Sequence, residues 1–151
     1  MRMPTGTYAV DVEAPLEQVW RFLKDPANWE PLMTGYIGHE IINERESTWT
    51  FKGDLGITTK LIKLQVNIKE LAEPSKIAFQ LSGLSDPVEG AGRFEAVSLG
   101  ETSTRLTGFL EIRGQGFMAM MMNSVMKEFV PKNVESLTKA VADKLSVPKS
   151  Q

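Results

Sequence analysis

At 151 residues, with 42% hydrophobic and 24% charged residues, the chain reads as a single soluble domain, 1–151, with a substantial core. A net charge of −2 argues against nucleic acid as a partner, because neutralising phosphates needs a basic face. No cysteine and one histidine exclude disulfides, thiolate nucleophiles, zinc–cysteine centres and histidine-rich metal sites, and fit a reducing cytoplasm.

The first residues carry no apolar run behind their charge, so no signal peptide is expected. No stretch approaches the ~18 uninterrupted apolar residues of a membrane span. Residues 7–13 alternate, with Tyr8, Val10 and Val12 on one face and Ala9 and Asp11 on the other, which predicts a first strand. Pro15 suits the first turn of a helix, and Leu16, Val19, Trp20 and Leu23 repeat at helical spacing behind it. Asp25 can cap a second short helix with Pro26 at its first position, running to about Leu32 and ending near Gly35.

A run of strands follows. Residues 36–44 predict one strand, and 47–53 another, with Trp49 and Phe51 on one face. Asp54-Leu55-Gly56 is a predicted turn. Residues 58–71 turn Ile62, Leu64, Val66 and Ile68 one way and Lys63, Gln65, Asn67 and Lys69 toward water. Pro74 breaks this strand, Ile77, Phe79 and Leu81 mark the next, and 88–97 and 105–113 complete the set. Gly90 and Gly92 predict a bulge or a close backbone approach. Short turns between strands favour an antiparallel sheet.

A helix is predicted over 116–145. Met118, Met122, Val125 and Phe129 form one stripe; Val130, Val134, Leu137, Val141 and Leu145 form another, rotated by roughly 130° at about 100° per residue. Pro131 between them predicts a kink or break that lets both halves face one sheet. The expected fold is therefore α+β: a curved antiparallel sheet of about seven strands around a long C-terminal helix, with two short helices after strand 1.

This pattern resembles the START/Bet v 1-like helix-grip superfamily, also called SRPBCC or polyketide cyclase-like. The resemblance rests on Ala14-Pro15, Val19-Trp20, Leu23, Asp25-Pro26, Trp29-Glu30-Pro31-Leu32-Met33 and Gly35, with Gly90-Ala91-Gly92-Arg93-Phe94 and Thr104-Arg105-Leu106-Thr107 downstream. Within it, the chain is most similar in character to proteins like the G component of carbon monoxide dehydrogenase, which are associated with membrane recruitment of a dehydrogenase. The resemblance implies a cavity between sheet and final helix for a lipid, quinone or polyketide-like molecule, and no cofactor. Unlike longer members, the chain ends at Gln151 without a hydrophobic tail, which argues against stable anchoring and leaves peripheral membrane contact open.

On that reading, Trp49, Phe51, Leu64, Val66, Phe79, Leu81, Phe94 and Leu110 are core positions that can also line the cavity, and residues 117–129 supply the opposite wall through Met118, Met121, Met122, Val125 and Phe129. Five of the eight methionines lie between Met118 and Met126; their flexible, polarisable side chains suit an adaptable wall as well as ordinary core filling. Met120 lies off the main stripe. No Ser-His-Asp set, phosphate loop or metal-ligand spacing occurs, so no catalytic or metal residue is assigned. Tyr36, His39, Asp86, Arg93 and Glu95 are the polar residues considered for a cavity; alternation with Phe94 turns Arg93 and Glu95 outward. A carrier for an apolar molecule is the leading expectation. A polyketide cyclase or dehydratase, and an interaction module for a larger enzyme, are the alternatives.

Overall fold

The computed structural model describes residues 4–54, 59–85, 87–116 and 119–146, without the side chains of Asp54 and Met122. The predicted turn at Leu55-Gly56 and the positions of Asp86 and Met118 lie outside the described residues.

The chain runs β1 (Thr5–Val12), α1 (Leu16–Leu23), α2 (Pro26–Trp29) and a 3-10 helix (Glu30–Leu32), then β2 (Tyr36–Ile41), β3 (Glu46–Asp54), β4 (Thr59–Ala72), β5 (Lys76–Gly83), β6 (Val88–Gly100), β7 (Ser103–Gly114) and α3 (Ala119–Leu145). The strands form one seven-stranded sheet in the order β1-β7-β6-β5-β4-β3-β2, antiparallel throughout. This is the helix-grip arrangement. The meander follows from short turns; β1 pairs with β7 at one edge, and α1, α2 and the 3-10 helix carry the chain from it to β2 at the other.

Local chemistry sets the boundaries. Asp25 caps α2 by accepting the Ala27 N–H at 3.1 Å, and Pro26 opens the helix as expected. Strand β2 stops at Ile41, short of the expected 44, because Asn43 closes a hairpin turn: its side-chain oxygen accepts from Arg45 N at 2.9 Å and Glu46 N at 3.0 Å. Gly90 and Gly92 mark close approach, not a bulge. The β6–β7 register is unbroken there, and the Phe79 ring lies over Gly92.

The long C-terminal helix is present, but no break interrupts it at Pro131. α3 is continuous from Ala119 to Leu145 with Pro131 inside it. Its buried apolar residues form one drifting stripe, Met126, Phe129, Val130, Val134, Leu137, Val141, Ala142 and Leu145, so two separately rotated halves are not needed. The helix lies over β1 and β7. Two glycines permit the approach: a Cβ on Gly6 would stand 2.7 Å from Pro131 Cα, and one on Gly108 would run into Thr138 Oγ1. The bare Gly6 backbone leaves room on β1 for the α3 backbone at Pro131.

Candidate ligand-binding interior and a buried carboxyl

The inner face of the sheet carries the predicted lining. Trp49, Phe51, Leu64, Val66, Phe79, Leu81, Phe94 and Leu110 are all buried, as is Phe129 of α3, and they belong to one continuous apolar cluster. Phe129 stacks on Phe51 with ring centroids 6.3 Å apart. Val125 is half-buried. Met121 is 59% exposed, so the structure turns it to solvent and not to the wall expected of it; Met120 is 75% exposed. Met126, absent from the expected lining, is buried instead.

The central element of this interior is a residue that periodicity did not select. Trp29 follows from the short capped helix: its indole N–H donates to Leu23 O at 3.0 Å, and the ring drops into the sheet. There it meets Trp49 edge-on at 6.2 Å, Phe79 at 5.0 Å and Phe94 at 5.2 Å. These separations are those of favourable aromatic pairs. Trp29 thus plugs the concave face over β3, β5 and β6.

Its neighbour Glu30 is fully buried. Ser47 Oγ on β3 donates to Oε2 at 3.1 Å, while Oε1 has no hydrogen-bond partner among the described residues. Trp49 Nε1 donates to the Glu30 carbonyl at 3.2 Å, fixing the backbone beneath the plug. Burial raises the carboxyl from 4.5 to about 7; the Ser47 hydrogen bond opposes the rise and the negative charge of Asp25 adds to it. In the sequence Glu30 stands out only as part of a motif. The available signal was a carboxylate held between Trp29 and Pro31 inside a short segment with apolar residues on both sides.

A second polar pair lies on the edge strand. A register shift between Tyr36 and Gly38 leaves Tyr36 opposite Phe51 and His39 opposite Trp49, so both share the inner side while Ile37 is exposed. Tyr36 Oη and His39 Nδ1 are 2.5 Å apart. With Nδ1 unprotonated, the phenol donates to it. Arg93 and Glu95, as expected, stay off the interior: they pair at 3.3 Å, with the guanidinium 4.1 Å from the Phe109 ring centroid. Among the described residues, no group of three acidic or histidine side chains could hold a metal, and no helix is long and apolar enough to cross a membrane.

Comparison with known proteins agrees with this geometry. A family model matches residues 3–145. The fold is similar to a START superfamily protein from Mycobacterium smegmatis (TM-score 0.66, 18% identity, 93% of this chain and 96% of that one). It is also similar to the Zhui aromatase/cyclase from a Streptomyces species (TM-score 0.72, 16% identity, 95% and 93%). A norcoclaurine synthase point mutant from Thalictrum flavum, in complex with a transition-state analogue, matches at TM-score 0.67 and 12% identity over 96% of each chain. No curated protein sequence matches significantly. The chain belongs to the START/Bet v 1-like (SRPBCC) superfamily.

Proposed function

We propose that the protein binds an apolar small molecule, of lipid, quinone or polyketide-like character, between the concave face of the sheet and the beginning of α3. The observation that carries this reading is the gathering of Phe51, Leu64, Leu81, Leu110 and Phe129 in one apolar interior whose covering helix is loosely seated at its start. Among the described side chains of residues 119–125 none is buried, so the first turns of α3 are the part that can part from the sheet. A ligand burying roughly 300 Å² of apolar surface at about 25 cal/mol per Å² gains about 7 kcal/mol before the costs of association.

Native mass spectrometry of the purified protein, followed by organic extraction, tests this directly, and a retained apolar molecule supports it. Val125→Glu places a charge at the half-buried wall without disturbing the Trp29 plug. Uptake of a naphthalene-based fluorescent probe should fall at least about tenfold with the circular dichroism spectrum unchanged. Normal uptake by a folded Val125→Glu variant places the ligand elsewhere.

A second reading, an enzyme of the cyclase or dehydratase type, is favoured by the Tyr36–His39 pair. A phenol hydrogen-bonded to an imidazole on the inner side of the sheet can exchange a proton with a bound substrate. This reading predicts loss of turnover in both Tyr36→Phe and His39→Ala with ligand uptake retained. The similar structures whose names describe cyclase or synthase activity make polyketide-like or aromatic substrates the first to try.

A further inference from the structure

Beside Glu30, at the end of the sheet where β2 turns into β3, lies a cleft of about 110 Å³, against the ~10–15 Å³ that one water needs. Its walls come from the start of α2, the β2–β3 hairpin and Ile68 of β4, and Glu30 and Ser47 both line it. We propose that this cleft is a binding site, separate from the apolar interior, for a small molecule or group bearing an ammonium, with Glu30 Oε1 as its buried acceptor.

Burial, charge and hydrogen bonding each support this. Glu30 lines the cleft, is fully buried, and its Oε1 has no hydrogen-bond partner among the described residues. The charged lining among the described residues is Asp25 from the α2 cap and Glu44, Arg45 and Glu46 from the hairpin, together with Glu30: four acids to one base. β4 contributes Ile68 and no charge to this lining. The Glu46 carboxylate is already occupied, accepting from Asn43 Nδ2 at 2.7 Å and Gln65 Nε2 at 3.0 Å. Glu30 therefore supplies the buried contact, and Asp25 and Glu44 supply charge at the rim. An ammonium, with three donors, satisfies Oε1 and offsets the negative field at once. An uncharged hydroxyl satisfies only the first requirement.

The chemistry predicts reciprocity with a proton. A cation beside Glu30 favours its ionised form, so binding should release the proton that burial retains and should strengthen as pH rises through the carboxyl's titration. Arg45 opposes cation binding, and Asp25, Glu44 and Glu46 favour it. The proposal does not depend on an apolar ligand occupying the interior.

The test uses the full chain, carbon-13 labelled at glutamate carboxyls and nitrogen-15 labelled throughout, with ethanolammonium as the charged probe and ethylene glycol as its uncharged counterpart. The expected result is saturable shifts confined to the amides of residues 25–27 and 43–47, at least about tenfold weaker with ethylene glycol, and a Glu30 midpoint lowered by about one pH unit at saturation. Glu30→Gln should weaken ethanolammonium at least about tenfold while its amide spectrum elsewhere stays native. No saturable shift up to about 100 mM overturns the proposal, and so does equal affinity for the two probes or an unmoved midpoint. In those cases the cleft holds water only. The wild-type midpoint is read independently of the variant, so a Gln variant that fails to fold leaves the decision intact.

Discussion

The two ends of the sheet are built differently. At the end where β2 turns into β3, the short helices close the concave face with Trp29, which is fully buried and meets three aromatic rings, and the next residue carries a buried carboxyl. At the opposite end, where β7 hands over to α3, the described side chains of residues 119–125 are half-buried or exposed, and burial begins at Met126. A side-chain hydrogen bond ties this start to the sheet: Asn123 Oδ1 accepts the Gly114 N–H at 2.8 Å. Burial density and ring packing are stability determinants, so the plugged end should dominate unfolding and the α3 start should control entry. Division of a small domain into a firm and a loose region is the usual condition for binding without global opening.

The largest expected effect breaks the firm end. Trp29→Ala removes an indole that fills the interior and a buried N–H donor to Leu23, and should cost about 4 kcal/mol in chemical denaturation, as for other large-to-small changes in cores. A loss below about 1 kcal/mol would show that neighbouring side chains collapse into the space and that Trp29 is not the keystone of that end.

Next comes the pH dependence of the same end. The folded-state pKa of Glu30 is raised from 4.5 to about 7, so between those values the native state holds a proton that the unfolded chain releases. Its contribution is therefore most favourable below pH 4.5, and is lost as pH rises to about 7, by about 3 kcal/mol in total. Urea midpoints of wild type and Glu30→Gln should diverge across that window, with the Gln variant missing this fall. Parallel curves would remove Glu30 as the titrating group. The clamped half of α3 gives a smaller effect: Gly6→Ala places a Cβ 2.7 Å from both Pro131 Cα and Val134 Cγ1, and should destabilise by about 2 kcal/mol through overpacking. A neutral result would show that α3 can shift off β1 without loss.

The strands were legible because alternation is a local property. Ile62, Leu64, Val66 and Ile68 announce a one-sided strand without reference to anything beyond it, and all four are buried. The element order then placed those strands under a long covering helix, the motifs from Ala14-Pro15 to Thr104-Arg105-Leu106-Thr107 resembled the helix-grip superfamily, and the fold agrees with both. The site was less legible because its geometry depends on distant partners. The register shift that sets Tyr36 beside His39 lies in the pairing of β2 with β3, and the acceptor left open on Glu30 depends on Ser47, seventeen residues away. In α3 the stripe Val130, Val134, Leu137, Val141 and Leu145 is buried as read, as is Phe129, while Met121, expected on the wall, is exposed. Helical spacing gives the angle between residues, but which arc is covered depends on where Gly6 and Gly108 let the helix touch the sheet.

The smallest effect on stability offers the sharpest test of the loose end. Met120 and Met121 are 75% and 59% exposed, so Met120→Ala with Met121→Ala should change unfolding free energy by no more than about 0.5 kcal/mol. If the start of α3 governs entry, the same pair should alter the rate at which an apolar probe enters by several-fold, because flexible thioethers at an opening help an apolar molecule pass from water into the interior. Stopped-flow fluorescence of probe uptake separates the two quantities. A changed rate with unchanged stability assigns the opening to this end of the sheet, whereas changes in neither leave the methionines as surface residues and move the search for the entrance to the other loops around the sheet.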